Sequence, residues 1–207
     1  MELCRLCEIR KPRRACPAVG GDICTLCCGE QREVTLDCPL DCEYLLEARR
    51  REKPPEVNPD EFPNKEIRVT EDFLRDHEQL LVFAARALLN AALATLGAGD
   101  NDVREAIDAL IRTYRTMDSG LIYQTRPQNP YAASVQQLWL QSLEQFRTEL
   151  HKATGMYTIR DSELLGTLVF LQRLEIQHNN GRRRSRAFLS FLLEHFPQRE
   201  ERLVAGQ

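Results

Sequence analysis

The chain has 207 residues, 43% hydrophobic and 29% charged, with a formal net charge of −3. That balance fits one or two globular domains and excludes a disordered polyelectrolyte or a generic polyanion binder. Eight cysteines lie within the first 42 residues and none follows. Because no apolar stretch precedes Cys4, a secreted disulfide scaffold is disfavoured. Thiolates on a metal, in a reducing cytoplasmic setting, are expected instead.

Residues 1–52 form the cysteine-bearing segment. Zinc takes ligands at the corners of a tetrahedron, and thiolates at i and i+3 supply two of them from one tight turn. Two such knuckles occur, Cys4-Arg-Leu-Cys7 and Cys24-Thr-Leu-Cys27, with Cys16 between them. Cys38 and Cys42 follow, four apart, with Pro39 suited to a first helical position that would put both sulfurs on one helix face. Pairing neighbours in order would strand Cys16, so the spacing predicts two interleaved Cys4 sites. Cys4, Cys7, Cys24 and Cys27 hold one zinc ion, and Cys16, Cys28, Cys38 and Cys42 hold a second. Cys27 and Cys28 could exchange roles. With all four positions of each zinc filled by sulfur, the metals are expected to be structural, supplying folding energy to a segment too short for a sufficient core.

The order of a CxxC knuckle, a lone cysteine, a second knuckle and a terminal Cys38-xxx-Cys42 pair resembles the cross-brace double-zinc fingers, the B-box, MYND and HIT group. Cys28 stands in for the ligand those fingers carry three residues after the third, where this chain has Val19. The resemblance covers this segment only, and it implies protein–protein contacts.

Residues 53–66 carry four prolines, which predicts a semi-extended linker. Residues 67–207 read as an α-helical bundle of about five helices. Thr70 is placed to cap a helix to about Leu96, and Asp100 or Asn101 opens a second that closes at Gly120. Asn129-Pro130 starts a third, in cap-then-first-turn order, ending before Gly155. Asp161 is placed to cap a fourth, to His178, and a fifth runs from about Arg184 to Phe196. Arg86 and Asn90 interrupt the apolar run Gln79–Leu96, so a buried core helix is expected rather than a membrane span.

Three further features bear on function. The connection from Leu121 to Tyr131 is long for a helix–helix link and mixes Tyr123, Arg126 and Tyr131, types enriched at interaction hot spots. Arg182, Arg183, Arg184 and Arg186 crowd a helix N-terminus, where the macrodipole disfavours cations unless an anion relieves them. Glu175 and His178 form a Glu-xx-His pair, but no second pair completes a di-iron set. Phosphate-loop, dinucleotide and nucleophile-elbow motifs are absent. The expectation is a non-enzymatic zinc-binding adaptor with a protein partner, no membrane contact, and possible homo-oligomerisation. The alternative is a nucleic-acid-associated regulator using Arg10–Arg14 and Arg182–Arg186. Residues 1–53 hold ten basic and ten acidic side chains, and each four-thiolate zinc would add about −2, leaving no sustained positive patch there.

Overall fold

The computed structural model describes residues 2–53, 55–155 and 159–197; the other positions of the three predicted segments lie outside the described residues. Among the described residues the chain forms eight α-helices and one two-stranded sheet. No described helix is long and apolar enough to cross a membrane.

The cysteine-bearing segment contributes the strands and two short helices. Strands β1 (Arg14–Cys16) and β2 (Gly21–Ile23) pair antiparallel with Arg14 opposite Ile23 and Cys16 opposite Gly21. Gly20, at φ +64, permits the tight return between them. Helix α1 (Thr25–Gln31) starts inside the second knuckle, and α2 (Glu43–Arg49) begins directly after Cys42. A small core of Ile23, Leu36 and Leu45 packs with the cysteines.

The remaining helices are α3 (Glu71–Asp76), α4 (Glu78–Ala94), α5 (Asp100–Asp118), α6 (Pro130–Thr154), α7 (Asp161–His178) and α8 (Ala187–His195). Helix α5 packs against α6 and α7, and α4 against α6. Trp139 is fully buried among them, and its indole Nε1 donates to the Ala84 carbonyl at 3.2 Å. The start of α6 follows the sequence signal. Asn129 accepts from the Tyr131 amide, Pro130 takes the first position, and Gly155 ends the helix at φ +78.

Boundaries differ from expectation at three places: the first bundle helix, the start of α7 and the start of α8. The helix expected from Thr70 breaks at His77, giving α3 and α4. Phe73 rests on Gly166 of α7, where a Cβ would come within 2.5 Å of the ring. The His77 ring stacks on Phe73 at 4.3 Å. The residues at the break, Arg75-Asp76-His77-Glu78-Gln79, include no glycine or proline, so no helix breaker marks it in the sequence.

Helix α5 is capped by Gly99, whose amide donates to Asp102 at 2.8 Å. Asp100 serves α8 instead, 87 residues further on. Its buried carboxylate accepts from the amides of Phe188 and Leu189 and from the Ser185 hydroxyl at 2.6–3.2 Å. Burial pushes its pKa up, and these three donors pull the other way. Helix α8 accordingly begins at Ala187, after the arginine run. At α7 the cap position falls to Arg160, whose amide donates to Glu163, and Asp161 becomes the first helical residue.

The proline-rich stretch does not hang free throughout. Asn64 donates to Gln172 at 2.7 Å and accepts from Arg115 at 2.6 Å, and Arg173 donates to the Ile67 carbonyl at 3.0 Å. Its end is strapped across α5 and α7.

The cysteine module is also fixed to the bundle. Glu33, following α1, is 1% exposed and takes φ +55. Its carboxylate accepts from Arg49 at 2.6 Å, Asn180 at 2.9 Å and the Arg186 amide at 2.9 Å. Its own carbonyl accepts from the Arg184 amide at 2.8 Å. Arg182 pairs with Glu52 at 2.9 Å, Arg184 pairs with Asp37, and Leu40 packs on the bundle core. A left-handed backbone costs about 1 kcal/mol for a residue with a Cβ, and here contacts from both sides of the residue enforce it.

Candidate metal centre

The two knuckles converge. One ligand sulfur from each of Cys4, Cys7, Cys24 and Cys27 lies within 4.8 Å of the other three, and Cys16, between them in sequence, is not in the group. A zinc tetrahedron with Zn–S bonds of about 2.3 Å has sulfur–sulfur edges of roughly 3.8 Å, so the four fit that ion with small adjustments. The local fold builds the convergence. Helix α1 opens at Cys24, whose sulfur accepts from the Cys27 amide at 3.4 Å, while the Cys24 amide donates to the Cys4 sulfur at 3.1 Å. The carbonyl of Arg10 ties back to the Cys4 amide at 2.9 Å, and Glu8 turns the chain at φ +52.

The electrostatics of four adjacent sulfurs call for a cation. Burial pushes the Cys4 thiol up, but amides of Cys24, Cys7 and Leu6 outweigh it and bring the thiol down to about 6. Amides of Ile9 and Arg10 lower Cys7. Cys27 moves oppositely, to about 12, because Cys24 hydrogen-bonds to it and burial penalises its charge. Four thiolates ionised side by side repel one another, and a divalent metal bound between them would offset that repulsion. The Arg10 guanidinium, hydrogen-bonded to Cys24 and near Cys7, holds its proton more tightly.

The other four cysteines are arranged more loosely. Cys16, Cys28, Cys38 and Cys42 line one cavity of about 10 Å³, closed by Ile23, Leu36 and Leu45. No second group as tight as the first is found among the described residues. Arg14 donates to the Cys28 sulfur at 3.2 Å, Arg32 reaches it at 3.9 Å, and the Arg14 guanidinium lies 4.8 Å over the Tyr44 ring.

Four of the basic side chains singled out in the sequence, Arg10, Arg14, Arg182 and Arg184, are engaged within the chain. Arg10 and Arg14 face thiols, while Arg182 and Arg184 pair with acids of the module. The Arg186 amide is held by Glu33, and Arg183 is exposed. The anions relieving the α8 terminus are therefore internal: Asp100 and Glu33.

Tyr123, Arg126 and Tyr131 are all exposed. Arg126 lines an open groove of about 640 Å³ with Gln137 and Gln141 of α6. Neither tyrosine lines that groove, and Tyr131 instead lies against Gly97. Leu121 and Ile122 stand in solvent, Ile122 at 98%. Glu175 and His178 diverge: Glu175 is bonded to Arg104 and Asn179, and His178 stacks on Phe191 at 3.7 Å.

The sequence reading passed over a set of apolar side chains beside the tight cluster. Leu6 and Leu26 occupy the same position in the two knuckles, each just before the second cysteine. Both are exposed, as are Leu3 and Ile9, the latter at 78%. The repeated leucine was the available signal. Comparison with protein-family models, curated proteins and solved structures finds no match.

Proposed function

We propose that this chain is a cytoplasmic, non-enzymatic zinc-binding adaptor whose module carries two zinc ions, as a cross-brace finger would, and contacts a protein partner. The observation that carries this reading is the exposure of Leu3, Leu6, Ile9 and Leu26 around a cluster whose cysteines are mostly buried. Apolar groups held in water beside a rigid metal knuckle are the kind of surface a partner covers. All four positions of the tight cluster are sulfur, which leaves no open position for substrate and supports a structural metal. The cavity lined by Cys16, Cys28, Cys38 and Cys42 supports the second ion. The exposed strip Leu121–Tyr123 beside Arg126 is a second candidate contact surface. The nucleic-acid alternative has less support, because most of its arginines are engaged within the chain.

The test is a pull-down with the intact chain and with Leu6→Glu/Leu26→Glu, both checked for equal zinc content. Recovery of a partner captured by the intact chain should fall at least tenfold, or about 1.4 kcal/mol, in the double variant. Arg126→Ala should weaken recovery by about 1 kcal/mol if the bundle loop also contributes. Equal recovery by the intact chain and the double variant would remove the knuckle face from the interface. Retention of the intact chain on heparin at about 0.15 M salt would favour the nucleic-acid alternative.

A further inference from the structure

Glu33 and Asp37, two acids that hold the module on the bundle, lie on the loop between Cys28 and Cys38. Those two cysteines bound the loop and line the same cavity. Among the described residues the loop's other ties are the turn at Gln31, whose carbonyl accepts from Val34, Thr35 and Leu36, the Thr35–Gln31 side-chain contact, the Arg32–Leu36 bridge, the Arg32 contact to the Cys28 sulfur at 3.9 Å, the Glu33–Arg49 pair and the packing of Leu36 in the module core. The bundle side of the contact is equally local. It is the turn Asn179–Arg186, held internally by Asn179 accepting from the Gly181 amide and Asn180 from the Arg182 amide. Two backbone amides of that turn, Arg184 and Arg186, have both their acceptors on Glu33.

We infer that metal at the Cys16/Cys28/Cys38/Cys42 site latches the module onto the bundle, by fixing the loop that presents Glu33 and Asp37 to the Asn179–Arg186 turn. The inference rests on the two-zinc reading given above. The tight cluster has no such part, since Cys4, Cys7, Cys24 and Cys27 all precede the loop. Loss of the latching metal gives Glu33 access to water, where its carboxylate is solvated and its left-handed backbone relaxes. The arginine turn then loses its internal anion. Metal availability at one site thereby controls whether an acidic loop and a basic turn are bound to each other or both presented to solvent. Either surface, once free, is one the latched chain does not offer.

The experiment follows amide exchange at Arg184 and Arg186 in the full zinc-loaded chain, with metal counted by native mass spectrometry. Cys38→Ser should lose one zinc and speed exchange at both amides by roughly a hundredfold or more, the factor expected when one buried charge contact is lost. Cys7→Ser should also lose one zinc yet leave both amides protected. Glu33→Ala should keep both ions and still expose the Arg186 amide, which separates loss of the latch from unfolding of the module. If Cys38→Ser loses its zinc and the amides do not change, or if Cys7→Ser exposes them equally, the latch is refuted and the two-zinc reading stands. A wild-type chain with one zinc, unchanged in Cys38→Ser, refutes both.

Discussion

Glu33→Ala should destabilise the folded chain by about 3–5 kcal/mol in urea denaturation, because it leaves buried cationic and amide partners without their anion. Few surface-loop acids would approach that figure, since most exposed ion pairs contribute under about 1 kcal/mol. The difference is burial. Glu33 is 1% exposed and meets Arg49, Asn180 and the Arg186 amide at 2.6–2.9 Å. Part of the loss is offset by the left-handed backbone, which Ala tolerates no better than Glu but which is free to relax once the side-chain contacts are gone. Glu33→Gln should fall between the two, keeping an acceptor while losing the charge. A loss below about 1 kcal/mol for Glu33→Ala would show that the module rests on the bundle without depending on this residue.

The second large effect is at the tight cluster. Cys24→Ser removes a ligand and also the sulfur that accepts from the Cys27 amide at the start of α1. Structural zinc in small fingers supplies about 10–16 kcal/mol of apparent folding energy, so the variant should lose one zinc. Amides of residues 4–27 should lose their exchange protection. The bundle should keep its helical signal, because its core is centred on Trp139, Leu110 and Leu168, with no cysteine in it. If the bundle melts together with the knuckles, the two parts form one cooperative unit, and the Glu33 contacts are strong enough to couple them throughout.

How much of this was legible in the sequence depends on the range of the determining contact. The knuckles were legible because a CxxC turn is local chemistry, and skipping Cys16 follows from spacing alone. Helix α6 was legible at both ends because Asn129, Pro130 and Gly155 act on their own neighbours. The break at His77 was not, since residues on both sides favour a helix; there Phe73 meets Gly166 from another helix, a contact no local signal announces. Asp100 was legible as the opening of α5, but not that its carboxylate reaches α8. Glu33 sits in the polar string Gln-Arg-Glu, where nothing local marks it as buried; its partners are 16, 147 and 153 residues away. The arginine run was expected to call for an anion; within the chain Arg182 pairs with Glu52 and Arg184 with Asp37, acids far away in sequence. The strap at Asn64 was missed for the same reason: a proline-rich composition predicts extension, and extension is compatible with lying along a surface.

We propose that two metal ions held by eight thiolates order the module. Native mass spectrometry of the full chain purified with zinc tests it most directly. The prediction is a mass excess of two zinc ions per chain, with both removed by a chelator. A single zinc, or iron in its place, would contradict it.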